Sequence, residues 1–421
     1  MTRPVVGFAG MTHLGLVSGV CAAEKGFRVL CFDPNGARIA ALKRRELPVS
    51  EPELDQLVTK NAERLQFTAA DEDLGACDVI YVAPDVPTDD AGRSDLGPIN
   101  ALLERVFAAA RRDSVIVVLS QVPPGYSRGK QRDGRILYYQ VETLIFGRAV
   151  ERALRPERYI VGCADPAQPL PAPYRAFLDA HGCPVLPMRF ESAELAKISI
   201  NMFLVASVST ANTLAELCEE IGADWSEIVP ALRLDRRIGQ HAYLSPGLGI
   251  AGGNLERDLA TVIRFADERG TDAGIVRAWL ANSRHRRDWA LRRLHEHVLS
   301  KVADPALAVL GLAYKQDTHS TKNSPSLALL AHLHGFRVRL YDPVVPASEA
   351  GHPRAQGAKS ELEACEGADA LVVMTPWPQF SKISARDAAA RLRGKLVLDP
   401  YAVLDAGAWR GAGLDYHRLG T

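Results

Sequence analysis

Residues 4–33 leave the N-terminal part of this chain little choice of fold. Residues 4–9, PVVGFA, form a short apolar run that reads as a buried strand. The turn GMTHLG, residues 10–15, follows without a spacer, and residues 16–25 have a helical pattern. Gly26 ends the helix, residues 27–32 read as a second strand, and Asp33 closes it. Strand, glycine turn, helix, strand, acid is the order of a dinucleotide-binding βαβ unit. Such a turn, from Gly10 to Gly15, aims the first helix amides, around Thr12, His13 and Leu14, at a pyrophosphate. Asp33 is placed for the hydroxyls of an adenosine ribose, which favours NAD over NADP. The middle glycine of the usual pattern is missing, and Thr12 stands in its place.

The alternation continues. Residues 78–83 read as a strand, with a loop over 84–88 at its carboxyl end. Residues 99–111 are helical in pattern, 114–119 form a buried strand, and 120–125 are again a carboxyl-edge loop. Ligands of open α/β sheets sit at such edges, so Pro84, Ser120 and Gln121 join the expected cofactor site. Further strands at 136–140, 159–162 and 183–186 complete a first domain, residues 1–188.

Residues 191–220 are helical in pattern with few breakers. Lys197 and Asn201 lie one turn apart there and share a face. Their neighbours Leu195, Ile198, Ile200, Met202 and Phe203 argue against a solvated Lys–Asn pair. The length and apolar content of the helix suit an interface with a second copy of the chain. Near Lys301 the alternation restarts, with strands at 307–311, 337–341, 370–375 and 396–399. The expected fold class is α/β. Two Rossmann-like parallel-sheet domains, 1–188 and 299–421, are joined by a long central helix and a helical middle domain, 189–298. Two such folds suit a substrate that itself carries a nucleotide.

Composition narrows the function class. The 50 Lys and Arg balance 50 Asp and Glu, so nothing points to a general nucleic-acid binder or a basic membrane-surface protein. No apolar run is expected to span a membrane, and no signal-peptide pattern precedes the first strand. The seven cysteines are scattered without CxxC pairs, which suits a reducing, cytoplasmic setting and no structural zinc. His285, His295 and His297, in the charged run after Arg284, read as a solvated helix face. Glu51, Glu53 and Asp55 read as surface acids, and His241 as structural or solvated. No cluster has metal-ligand spacing, so no metal is expected.

A second glycine-rich stretch lies in mid-chain. Residues 245–258 read SPGLGIAGGNLERD. Glycine lets a backbone approach a ligand closely. The stretch suits a substrate cradle with reactive side chains at its exit, a flexible linker being the alternative.

Six blocks then coincide in order and spacing with one family. They are the first βαβ with Asp33, AELAKISIN at 193–201, DRRIG at 235–239, the loop ending at Asp258, GLAYKQDT at 311–318 with Ser324-Pro325, and Tyr341-Asp-Pro343. Over nearly its whole length the chain resembles the UDP-glucose/GDP-mannose 6-dehydrogenase family. The resemblance implies an NAD-binding N-terminal domain, a homodimer through the central helix, and a C-terminal domain gripping the diphosphate of a nucleotide sugar. It makes Lys197 and Asn201 stabilisers of a developing oxyanion, and Asp258 an acid working with an ordered water. Arg257 stands where the family has a lysine near the cofactor phosphates, and Lys322 where an arginine meets the cofactor. Tyr314 and Lys315 fall in the nucleotide-sugar site, and Gly249, Gly252 and Gly253 in the loop that wraps the sugar. Glu142, Phe146, Arg237 and Tyr243 take further substrate positions.

The departures matter as much. The family's loop carries a nucleophilic cysteine. Counting back from Asp258 puts Asn254 there, while counting forward from Arg237 puts Gly253 there. A family glutamate is replaced by Phe146 and a threonine by Gln121. In the family's reaction an alcohol becomes an aldehyde, a thiolate captures it, a second hydride leaves a thioester, and water cleaves that. A free aldehyde gives no second hydride until a nucleophile has added. The lost groups serve that second half, whereas Lys197, Asn201 and Asp258 suffice for the first. The expectation is a single two-electron oxidation of a UDP- or GDP-sugar. An epimerase that returns the hydride, and a nucleotide-sugar-binding homologue without turnover, are the alternatives.

Overall fold

The computed structural model describes residues 3–87, 89 and 93–421, apart from the side chain of Asn254. Thr88, at the end of the expected 84–88 loop, lies outside these residues. The chain divides into two compact units, residues 1–200 and 201–421.

In the first unit eight strands form one sheet. They are β1 (Val5–Ala9), β2 (Arg28–Phe32), β3 (Leu65–Thr68), β4 (Val79–Val82), β5 (Val115–Val118), β6 (Ile136–Gln140), β7 (Tyr159–Cys163) and β8 (Val185–Arg189). Their order is β3-β2-β1-β4-β5-β6-β7-β8, parallel except where β6 meets β7. Successive residues of a strand enter opposite layers. Val79 and Tyr81 join the core that holds helix α1 (His13–Glu24), while Ile80 and Val82 join the core on the other face. Both faces are covered, so β4 and β5 can be apolar at every position.

One helix, Phe190–Ile221, runs from the first unit into the second. Contrary to the expectation that no apolar run would match a membrane span, it is long and apolar enough to cross one by length and composition. Its polar residues are nevertheless spent on protein contacts. Glu194 accepts hydrogen bonds from Gly125 N at 2.6 Å and Ser127 N at 2.8 Å, and Asn212 Oδ1 accepts one from Gly247 N at 2.8 Å.

The second unit holds a six-stranded sheet. Its strands are β9 (Ala306–Leu310), β10 (Arg337–Tyr341), β11 (Ala355–Gly357), β12 (Ala370–Val373), β13 (Leu396–Leu398) and β14 (Asp415–His417). They lie parallel in the order β11-β10-β9-β12-β13-β14. Strands β3, β11 and β14 were not expected from sequence. They are short and carry polar residues, as in Asp415-Tyr-His417. The solvated reading of the charged run after Arg284 fails at one position. Arg286 is fully buried, and its Nη2 donates to Glu219 at 2.8 Å.

Candidate active site

In the first unit the site grows from the end of β1. Gly10 has φ +97°, and a Cβ there would stand 2.7 Å from Pro84 N, so this turn requires glycine. Gly15 lies against Gly10 O, where a Cβ would collide. Asp33, 2% exposed, accepts from Met11 N at 2.8 Å, Asn35 N at 2.9 Å and Arg38 Nη1 at 2.8 Å. A bare turn and a buried acid at the end of β2 fit a dinucleotide.

The start of α1 holds a residue that sequence reading missed. Thr12 is the N-cap, and its hydroxyl accepts from Asp85 N at 2.8 Å. The Asp85 carboxylate in turn accepts from His13 N at 3.1 Å and Leu14 N at 3.4 Å. The chain's own acid therefore satisfies two of the amides expected to meet a pyrophosphate. Only its place next to Pro84 could have signalled it.

His13 Nε2 lies 2.8 Å from Glu51 Oε1, and Phe146 stacks on the His13 ring at 4.1 Å. Glu51 is thus buried, not a surface acid. It also accepts from Gly147 N at 3.0 Å and Ala149 N at 3.2 Å. Phe146, assigned to the substrate by resemblance, packs here against the helix of the cofactor turn. Ser120 Oγ donates to Pro84 O at 2.5 Å, and Gln121 is its half-buried neighbour. Lys197 Nζ donates to Glu142 O at 2.9 Å and pairs with the Glu142 carboxylate at 3.2 Å.

In the second unit Asn201, one turn beyond Lys197 on the same helix, donates from Nδ2 to Asp258 Oδ2 at 2.5 Å. Arg257 Nε donates to Asp258 Oδ1 at 3.3 Å. Both Arg257 and Asp258 are buried, so the guanidinium and the amide hold the carboxylate in one place. They lie in the opening turns of the helix Asn254–Arg269, with Gly253 as its N-cap. The side chain of Asn254 is outside the described parts.

The glycine-rich loop is pinned, not a flexible linker. Gly247 N bonds Asn212, Ile250 N donates to Ser283 Oγ at 2.7 Å, and Gly252 N donates to Lys322 O at 3.2 Å. Two of its glycines make room for protein. A Cβ on Gly252 would stand 2.9 Å from the Tyr314 ring, and one on Gly249 would collide with Ser283 O. Lys315 Nζ lies 5.8 Å from the centroid of that Tyr314 ring. Arg237 is exposed and paired with Asp235 at 2.6 Å, and Tyr243 is half exposed.

All seven cysteines are free. Burial pushes the thiols of Cys21, Cys31, Cys77 and Cys365 up to about 12, and raises those of Cys163 and Cys183. In the second unit Cys218 packs among Ala211, Ala215 and Trp225, and Cys365 lies in the core of the sheet. No thiolate accompanies Asp258 there.

Known proteins share this architecture. Residues 5–171 match the NAD binding domain of the UDP-glucose/GDP-mannose dehydrogenase family, 191–284 its central domain, and 308–406 its UDP binding domain. A UDP-glucose 6-dehydrogenase from Pseudomonas aeruginosa is 33% identical over 416 residues, covering 93% of this chain and 91% of that one. The UDP-glucose 6-dehydrogenase TuaD of Bacillus subtilis is 30% identical over 432 residues, covering 98% and 92%. Among solved structures, a UDP-glucose dehydrogenase from Pyrobaculum islandicum superposes with a TM-score of 0.83 at 26% identity, covering 97% and 98%.

Proposed function

Because the chain belongs to the UDP-glucose/GDP-mannose dehydrogenase family of NAD-dependent oxidoreductases, we propose that it oxidises one alcohol of a UDP- or GDP-sugar by a single hydride transfer and releases the carbonyl compound. One observation carries this reading. The part-buried Asn201–Asp258 pair, with Lys197 one turn away on the same helix, stands at the exit of a glycine loop that holds no cysteine.

Each residue then has a chemical task. The Lys197 charge and the Asn201 amide stabilise the alkoxide as the hydroxyl loses its proton. Asp258 accepts that proton through an ordered water. Arg257 holds Asp258, and Glu142 holds Lys197. NAD supplies the hydride acceptor when bound, held by Gly10, Thr12, Gly15, Asp33, Pro84, Ser120 and Gln121. Asn254, standing where the family has its cysteine, has no thiol to form a thioester, so the carbonyl product is not captured for a second oxidation. Tyr314, Lys315, Arg237 and Tyr243 grip the nucleotide sugar.

The division of labour follows the domains, with residues 1–188 for NAD, 299–421 for the nucleotide diphosphate and 189–298 for pairing with a second copy. Exposed Phe203, Thr210, Leu214, Leu217 and Ile221 follow one another at steps of seven, four, three and four residues along the central helix, the spacing of a helix–helix seam. Free cysteines throughout suit the cytoplasm.

A panel of UDP- and GDP-sugars with NAD tests the reading. One member should produce NADH together with a carbonyl product. Turnover without NADH would favour hydride return and epimerisation. Binding with neither product would leave only a nucleotide-sugar-binding protein.

A further inference from the structure

Away from the proposed catalytic residues, three donor side chains converge on the edge of the second sheet. Asp415 and His417 stand two residues apart on β14, so they share one face of that strand. The π-helical turn His295–Leu299, which continues the helix Trp289–Leu294, brings His297 to that face. One donor atom from each of the three lies within 4.8 Å of the others. A metal here would depart from the expectation that none binds. His297 lies 118 positions before Asp415 in the sequence, so no local spacing could announce the group.

Three details separate this group from an ordinary ion pair. His417 Nε2 is buried and makes no hydrogen bond, although Asp415 Oδ1 is 2.9 Å away. The two atoms are close without being aligned on each other, as donors aimed at a common third point would be. Next, His297 Nδ1 lies 4.0 Å from Asp415 Oδ2, while its other nitrogen faces Glu296 Oε2 at 3.6 Å. Arg293 holds that glutamate at 3.2 Å. A carboxylate behind the distal nitrogen is what orients a ligating imidazole. Finally, donors about 2.0–2.2 Å from a tetrahedral zinc stand about 3.3–3.6 Å apart. The separations of 2.9 and 4.0 Å lie on either side of that value.

We propose that His297, Asp415 and His417 bind a divalent transition-metal ion of the zinc class. Two imidazoles and a carboxylate suit zinc, cobalt or nickel rather than calcium or magnesium. Asp415 is more than half exposed, which leaves the fourth position to water or an outside ligand. The ion ties the C-terminal edge strand to the end of the preceding helix. It is therefore a structural clamp, separate from the alcohol chemistry.

Titrating metal-free full-length protein with Co²⁺ alone tests this. One equivalent should bind and give the visible absorption bands of a tetrahedral cobalt site, and Zn²⁺ should displace it. His297→Gln, His417→Gln and Asp415→Asn should each weaken binding at least tenfold. Zn²⁺ should raise the melting temperature of the wild type and not of the variants. Melting curves in EDTA check folding, and the near-isosteric Asp415→Asn carries the test if a histidine variant fails to fold. No cobalt band, or variants that bind as tightly as the wild type, would overturn the proposal and leave only a close contact between His417 and Asp415.

Discussion

The two units begin with the same device and complete it differently. Six strands of the first sheet, β3-β2-β1-β4-β5-β6, follow the same order as the whole of the second, β11-β10-β9-β12-β13-β14. A glycine with positive φ leaves the first strand of each, Gly10 at +97° and Gly311 at +95°. Gly10 N donates to Phe32 O and Gly311 N to Tyr341 O, both at 2.8 Å. The acid after the second strand then braces the turn, Asp33 from Met11 N at 2.8 Å and Asp342 from Leu312 N at 2.6 Å.

From there the two diverge. Helix α1 starts at His13, so the first unit presents helix amides at the carboxyl edge of its sheet. After Gly311 the chain runs as a loop through Tyr314 and Lys315, and the next helix begins only at Pro325. Each acid also takes a side-chain donor, Trp377 Nε1 on Asp342 at 3.1 Å and Arg38 Nη1 on Asp33 at 2.8 Å. The first unit can hold phosphate through backbone and helix dipole. In the function we propose, the second relies on side-chain cations such as Lys315. One fold thus supports two ways of gripping a nucleotide, and neither turn carries the groups for alcohol oxidation.

The largest effect should come from outside both turns. Asp258→Asn should lower kcat by about 10³-fold, in the range of a lost general base, with binding of both ligands retained. If only KM rose, the chemistry would belong to the grips after all.

Acid should separate the units. Burial lowers the His181 pKa from 6.5 to about 4, so the folded first unit disfavours the protonated ring. Its contribution is intact above the unfolded value near 6.5 and is lost as pH falls from there toward 4. The loss is about 3 kcal/mol at full protonation. Thermal melts should show the first unit destabilised first, and His181→Gln should flatten that slope.

The two glycines offer a paired test. Gly10→Ala and Gly311→Ala each force a positive φ on a residue with a Cβ and should cost about 1–3 kcal/mol. Calorimetry should then show Gly10→Ala losing NAD and keeping UDP, with the reverse for Gly311→Ala. Loss of the same ligand in both would break the comparison.

A smaller change should run the other way. Asp85 competes with a pyrophosphate for the amides of His13 and Leu14. Asp85→Asn should therefore tighten NAD about three- to tenfold in a fluorescence titration. Unchanged or weaker binding would make Asp85 a structural cap.

What could be read from the chain depended on how far apart its partners lie. The βαβ unit was legible because strand, turn, helix and Asp33 are contiguous. Lys197 and Asn201 were legible as one helical face. Asp258 needed a family resemblance, since its partner Asn201 lies 57 positions away. Glu51 and Asp85 stayed hidden, 38 and 72 positions from the His13 groups they meet. Apart from the place of Asp85 next to Pro84, nothing in their local sequence distinguishes them from surface acids. Phe146 shows what position-by-position transfer leaves unsaid: it gave a substrate position and no sign that the ring stacks on His13.

The central claim is that the retained Lys197, Asn201 and Asp258 perform one oxidation and that, without a thiol, the reaction stops there. The direct measurement is the ratio of NADH formed to nucleotide sugar consumed at exhaustion, with the product identified by mass. The account predicts one NADH per sugar and a product two mass units lighter than the substrate. Two NADH per sugar and a carboxylate product would contradict it.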